Sequence, residues 1–376
     1  MATAVVAGAI ANKPRNGGEA WVRISWLLGL RRLGFDTHLV ERLEGGGEAG
    51  RRHFEEVVAE LGLEEGATLL DAGGKALYGK DEAKVMALAE EAEVLFNISG
   101  HLREGPLLSA FRRRVYVDLD PGFTQAWHAD PKVDFEIPAH DRYVTVGLNV
   151  GREGCPIPTA GLEWIPTLPP VVLEEWPAAP TPSAPLRFTT VATWRSPFSP
   201  LRIGGRTMGL KHHEFRRVIA LPEAVPAARF ELALDIHPGD AADLEALRRR
   251  GWEIAAPQEV AATPAAFRSY LQGSGAEFSV AQGVYVEARS GWVSDRTAAY
   301  LASGRPALVQ ETGLAEQLRR GEGLLTFSTP EEAAEGARRL CEDPVAHAEA
   351  AREIAERHLD SDRVLGRLLE RIGIGA

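Results

Sequence analysis

Short apolar runs alternate with amphipathic helical stretches along this chain, stop at a proline-rich segment, and then begin again. No other feature limits the fold as strongly. In the first half, Ala4 to Ile10 reads as a buried strand. Glu19 to Leu33 reads as a helix with Val22, Trp26, Leu27 and Leu30 at helical spacing, and Phe35 to Val40 as the next strand. Helices are predicted over His53 to Leu61, Ala83 to Ala92 and Pro106 to Arg113, with strands at Val94 to Ile98 and Val115 to Leu119. Such alternation implies parallel strands joined by crossover helices. Proline then thickens between Cys155 and Pro185, in PTLPPVV and WPAAPTPSAP, where neither a regular helix nor a central strand can form.

The alternation restarts with strands at Arg187 to Ala192, Phe230 to Ile236, Glu253 to Ala256, Glu277 to Val280, Pro306 to Gln310 and Leu324 to Phe327. Between them lie helices at His213 to Leu221, Ala242 to Arg250, Pro264 to Leu271, Asp295 to Ser303 and Leu314 to Arg320. The tail from Pro330 to Ile372 reads as helical, broken near Asp343-Pro344 and Asp360. The pattern therefore predicts an α/β protein of two Rossmann-like, doubly wound domains facing each other across a cleft. The domains are 1–165 and 187–345, with a linker at 166–186 and helices at 346–376 that can cross back to the first domain. Ligands of such folds sit beyond the carboxyl ends of the strands.

A length of 376 residues exceeds one ordinary core, which agrees with two domains. The formal net charge of -11 excludes a generally basic nucleic-acid-binding surface, so no nucleic-acid partner is expected. The two cysteines, Cys155 and Cys341, exclude a disulfide scaffold. The apolar opening MATAVVAGAIA lacks a basic start, and no run reaches the roughly 18 apolar residues of a membrane span. A cytoplasmic protein without a membrane span is the expectation.

The most informative stretch is SGWVSDRTAAYLASGRPALVQETG, from Ser290 to Gly313. Ser294 is a good helix N-cap and Asp295 falls in the first turn, where free backbone N–H groups attract phosphate oxygens. Arg296 and Thr297 add side-chain donors, and the plain alternative is ordinary capping. The helix ending LASGRPALV, the strand after it and the loop Glu311-Thr312-Gly313 resemble the donor segment of GT-B glycosyltransferases, family 4-like in particular. The tail is similar to the C-terminal helices of bacterial members. The resemblance is good from about residue 187 onward and diffuse before it. It implies a glycosyltransferase, of hexosyltransferase type, that moves a sugar from a nucleotide-diphosphate sugar to a small-molecule, lipid or glycan acceptor. The donor would lie on the C-terminal domain and the acceptor on the N-terminal one. It also implies metal-independent chemistry, with no cofactor beyond the nucleotide sugar as co-substrate. A nucleotide-sugar epimerase or hydrolase of the same fold, or a non-catalytic nucleotide-sugar-binding protein, are the alternatives.

Family 4-like enzymes carry two acidic residues eight positions apart in this region. Glu287 and Asp295 have that spacing but the wrong phase, because counting back from Gly304 reaches Ala299 and Gly291. The acidic pair is thus displaced or absent, and retention or inversion stays open. The resemblance further assigns Arg195 and Lys211, in VATWRSPFSPLRIGGRTMGLK, to the diphosphate, where fixed cations would stabilise the leaving group. In the first loop, Asn16-Gly17-Gly18 lets the backbone approach a ligand closely. His101 and Asp120, at the predicted strand ends, are candidate catalytic groups together with Glu287. Asp118 and Asp120 form a D-x-D, which binds a divalent ion in GT-A enzymes but not in the GT-B design. Trp292 is a candidate for sugar or base stacking. Base recognition is expected in the loops near Ala255–Val260 and Glu277–Gln282, and domain closure is expected to exclude water.

Overall fold

The computed structural model describes residues 1–375 except 46, 134–136, 181–183, 197, 315–317 and 319–320. Two separate open sheets form the frame. The first is eight-stranded, in the order β4-β3-β2-β1-β5-β6-β7-β8. Its strands are β1 (Thr3–Ala7), β2 (Asp36–Arg42), β3 (Ala67–Leu70), β4 (Ala76–Tyr78), β5 (Val94–Ile98), β6 (Arg114–Asp118), β7 (Arg142–Thr145) and β8 (Trp164–Pro166). All pair in parallel except the antiparallel edge strand β4.

After a hairpin-bearing insertion of β10 (Leu201–Ile203) and β11 (Arg206–Met208), the second sheet completes the order β13-β12-β9-β14-β15-β16. Its strands are β9 (Arg187–Thr193), β12 (Arg229–Asp235), β13 (Glu253–Ala255), β14 (Ala276–Ser279), β15 (Ala307–Gln310) and β16 (Leu324–Phe327), all parallel. In each sheet the strand order reverses once, between β1 and β5 and between β9 and β14. The reversals open a crevice at the carboxyl ends of those strands, because the flanking crossovers leave in opposite directions.

The predicted strands of the second half are present within two residues of their expected ends. The short strands β3, β4, β7 and β8, the hairpin and the Phe123–Ala129 helix went unread, being too brief to show a period. The predicted helix His213 to Leu221 splits into Lys211–Arg217 and Leu221–Ala224, where Pro222 starts a new turn. The predicted helix from Leu314 to Arg320 lies largely outside the described residues.

The Gly17–Arg32 helix is buried on several sides, from Ala20 and Trp21 to Leu27 and Leu30. It is covered by the sheet on one side and by the Ser361–Ile372 helix on another. A Cβ on Gly29 would lie 2.6 Å from Leu365 and 2.8 Å from Ser361, so only glycine permits this crossing. The Ser361–Ile372 helix buries Val364, Leu365, Leu368, Leu369 and Ile372, a single apolar stripe. Arg32 holds Asp362 through two bonds of 2.8 and 2.9 Å. Val171, in the segment between the sheets, donates to Leu359 O at 2.8 Å and accepts from Ser361 N–H at 2.9 Å. These bonds fall where Pro330–Glu342, Pro344–Ile354 and the π-helical turn Ala355–Leu359 give way to the last helix. Among the described residues, no helix is long and apolar enough to cross a membrane.

Candidate active site between the two sheets

A cavity of about 430 Å³ lies where the two crevices face each other. Its first wall is the loop after β1 and the start of the Gly17–Arg32 helix. Buried Glu41, at the end of β2, fixes that loop. Its carboxylate accepts from the backbone N–H groups of Ile10, Ala11 and Asn12 at 2.7, 2.9 and 2.8 Å, and from the Asn12 side chain at 2.8 Å. Burial pushes the Glu41 carboxyl up, and these four donors oppose the rise. Asn16 caps the helix by accepting from Glu19 N–H at 3.1 Å, and both residues line the cavity with Gly18. Fully buried Arg23 grips Glu19 one turn below, leaving its Nε without a partner.

The facing wall comes from the second sheet. Val191, Ala192 and Thr193 at the end of β9 line it, with Asp235 at the end of β12 and Pro257 and Gln258 beyond. Ser294 caps the Asp295–Ala302 helix by accepting from Arg296 N–H at 3.2 Å, and the first turn of that helix lines the cavity. Arg296 is anchored inward, donating to Glu277 at 2.8 Å, to Val191 O at 2.7 Å and to Ser279 Oγ at 2.6 Å. Its charge therefore sits at the cavity edge in a fixed place. Lys211 begins its own short helix, with its N–H on Gln282 Oε1 at 2.9 Å, and its side chain lines the cavity.

Burial sets the protonation balance here. Lys211 is lowered to about 8 by burial first and then by the Arg296 charge, with Asp120 opposing. Asp295 is raised to about 6 by burial, against the pull of Arg23. Asp120 is raised to about 6 by burial and by the neighbouring Asp118 carboxylate. His101 is lowered to about 4 by burial and by Arg23, so the imidazole is neutral at pH 7. Burial also acts to raise the Glu19 carboxyl, yet Arg23, Lys13 and His101 together hold it below its ordinary value.

Of the residues singled out from the sequence, Asn16, Gly18, Lys211, Ser294, Asp295 and Arg296 come together on the cavity wall. The others are placed differently. Gly17 approaches the other lobe and not a ligand. Its N–H donates to Ala261 O at 2.9 Å, and a Cβ would lie 2.1 Å from Thr263 O. Arg195 is mostly exposed and bound to Asp240 through bonds of 2.7 and 2.6 Å. Glu287 accepts from Gly209 N–H at 2.9 Å and faces Arg206 at 3.8 Å, beside the hairpin.

Trp292 stacks at a tilt on Tyr285, with ring centroids 4.7 Å apart. Thr297 is buried on the core side of its helix. The Glu311-Thr312-Gly313 loop is a structural turn. Glu311 accepts from Gly313 and Leu314 N–H at 2.7 and 2.8 Å, Thr312 Oγ1 donates to Trp292 O at 2.7 Å, and Gly313 O accepts from Asn149 Nδ2 at 2.6 Å. Asp118 has its oxygens taken by Thr124, Gln125, Thr145 and Asp120 N–H, and Asp120 accepts from Tyr285 OH at 2.8 Å. The D-x-D is thus a brace at the end of β6. His101 stands near Glu19 and Arg23, outside the lining.

Arg23 and Glu41 were missed in the sequence. A charge at position 23, between Val22 and Ile24 and one turn from Leu27, was the available signal for Arg23. Nothing local marks Glu41.

Residues 216–370 match the family model described as glycosyl transferase-like. No curated protein matches the chain. Among solved structures, sucrose-phosphate synthase from Thermosynechococcus elongatus is similar over 99% of both chains, with a TM-score of 0.55 and 10% identity. Anabaena HepE in complex with UDP and glucose is similar over 99% of this chain and 100% of that one, with a TM-score of 0.56 and 12% identity. An alpha-glucosyltransferase in complex with UDP and a 13-mer DNA is similar over 99% of both chains, with a TM-score of 0.60 and 12% identity. At such identities these likenesses speak for the fold. The chain therefore has the two-lobed GT-B fold, and its residues 216–370 are similar to the family described as glycosyl transferase-like.

Proposed function

We propose that this protein is a glycosyltransferase that binds a nucleotide-diphosphate sugar in the cavity between its lobes and passes the sugar to an acceptor hydroxyl. The observation that carries the reading is the Ser294-capped helix whose first turn opens into that cavity beside Lys211. Free N–H groups of a first turn, the helix dipole and a nearby ammonium group together favour a diphosphate. Arg296 adds a fixed positive charge, held in place by Glu277, Ser279 and Val191.

The nucleoside lies, in this proposal, along Val191 to Thr193 and toward Pro257 and Gln258, and the acceptor enters beside Asn16 and Gly18. UDP is the first nucleotide to test, since similar folds hold it. Glucose is the first sugar to test, from the same neighbour. The reaction in this proposal is metal-independent. Its support is that Asp118 and Asp120, the D-x-D that could serve a divalent ion, already accept hydrogen bonds from protein donors. A nucleic-acid acceptor fits poorly with a net charge of -11.

Calorimetry with UDP, GDP and ADP on the wild type and on Lys211→Ala tests the reading. One nucleotide is expected to bind, with affinity reduced about tenfold or more in the variant. Wild-type protein that binds none of the three, or a variant with unaltered affinity, contradicts it.

A further inference from the structure

Three carboxylates line the cavity, and two of them are already engaged. Glu19 is held by Arg23. Asp295 accepts its own backbone N–H in the first turn of its helix. Asp235 differs from both. It ends β12 in register with Thr193 of β9, and its backbone carbonyl accepts from Trp194 N–H at 2.7 Å. The sheet thus fixes its backbone, while its side chain is exposed at the cavity rim. Among the described residues, none donates a hydrogen bond to its carboxylate.

Topology places this carboxylate between two other parts of the wall. Strands β9, β12 and β13 are neighbours in that order. The first turn of the Asp295–Ala302 helix meets the end of β9, where Arg296 donates to Val191 O at 2.7 Å. Pro257 and Gln258, after β13, line the far end, two strand spacings or about 10 Å away. Asp235 stands on the strand between. A nucleoside diphosphate has the same order, with its ribose between the diphosphate and the base. In dinucleotide-binding doubly wound folds, an acid on the strand next to the first one meets a ribose hydroxyl for this reason.

Chemistry narrows what Asp235 takes. An ionised carboxylate is an acceptor only, so it repels phosphate oxygens and takes hydroxyl or amino donors. Its two oxygens suit two adjacent hydroxyls. Ala299, on the same cavity wall as Asp295, offers no side-chain acceptor that could share the task. We infer that Asp235 determines specificity for the nucleotide's own sugar. Its carboxylate accepts from the 2′- and 3′-hydroxyls of ribose, so the cavity takes ribonucleoside diphosphates in preference to deoxyribonucleoside diphosphates. The inference rests on the nucleotide-sugar reading above and gives it an orientation: diphosphate at the Ser294-capped turn, ribose at Asp235, base toward Gln258.

The test is calorimetry on the full-length protein with UDP, GDP and ADP, followed by the 2′-deoxy and 3′-deoxy forms of the nucleotide that binds. Wild type is expected to bind the ribonucleotide about tenfold or more tightly than either deoxy form. Asp235→Ala is expected to bind all three within about twofold of one another, at the wild-type affinity for the deoxy forms. Asp235→Asn keeps one acceptor oxygen and is expected to fall between. The side chain is exposed, so both variants are expected to melt with the wild type. Wild type that binds ribo and deoxy forms equally overturns the ribose role, as does an Asp235→Ala variant that keeps the preference. A variant that weakens ribo and deoxy forms by the same factor also overturns it, and makes the base the partner of Asp235. Wild type that binds no nucleotide removes the nucleotide-sugar reading itself, a different failure.

Discussion

Lys211 carries its charge in a cavity that disfavours it. With its ammonium lowered to about 8, it is mostly protonated at pH 7 and mostly neutral at pH 9.5. Anion binding is therefore expected to weaken as pH rises through 8, and Lys211→Arg is expected to extend binding to higher pH, because guanidinium keeps its proton. Calorimetry of the bound nucleotide at pH 7 and pH 9.5 measures both. Asp295 has the opposite sign. Its native value of about 6 exceeds the ordinary 3.8, so the native state holds a proton that the unfolded state releases between these values. Its favourable contribution is present below pH 4 and is lost as pH rises through 6. Asp295→Asn is then expected to raise the melting temperature at pH 8, by on the order of 1–2 kcal/mol of stability, and to change little at pH 4. A variant no more stable at pH 8 than the wild type contradicts the burial argument.

The loop after β1 is an element held by one side chain. Three consecutive N–H groups, Ile10 to Asn12, turn toward Glu41 because no strand or helix partner is available to them. Glu41→Ala leaves them unpaired in a buried place. It is expected to cost about 3 kcal/mol or more and to show in chemical denaturation. Glu41→Gln keeps an acceptor oxygen and is expected to cost less. Gly17 belongs to this same element. Any side chain there pushes on the Thr263 backbone, so Gly17→Ala is expected to lower stability and to disturb Trp21, whose indole donates to Pro264 O at 2.8 Å, with a change in tryptophan fluorescence.

The whole molecule is two lobes that share a core on one side of the cavity. Phe123, Ile157 and Trp164 of the first lobe form one buried cluster with Met208, Val284 and Tyr285 of the second. Asn149 fastens the same side, donating from Nδ2 to Arg289 O at 2.8 Å and to Gly313 O at 2.6 Å, with its N–H on Ser290 O at 3.0 Å. Wide separation of the lobes would strip this cluster of its contacts. The closure expected from the sequence thus has little room on this side. Calorimetric unfolding is expected to show one transition for both lobes, and two resolved transitions would mean that the shared core does not join them. Removing residues 361–376 uncovers Leu365, Leu368 and Leu369 and the face of the Gly17–Arg32 helix they cover. The melting temperature is expected to fall by more than about 10 °C, or the shortened chain to be insoluble.

The doubled architecture was legible because periodicity is a local property. A strand such as Val94–Ile98 or a helix such as Asp295–Ala302 announces itself within a few residues. The N-cap at Ser294 was legible for the same reason, since a cap is chosen by its own first turn. The partners of Arg195, Glu287 and Gly17 were not legible, because they stand 45, 78 and 244 positions away in sequence. Nor was the contrast among Glu19, Asp235 and Asp295, three acids alike on paper. Sequence by itself determined the elements and their caps through backbone sterics and apolar spacing. Only the tertiary structure decided which charges are neutralised and which face an empty space, because Coulomb energy and desolvation depend on distances that the chain order does not contain.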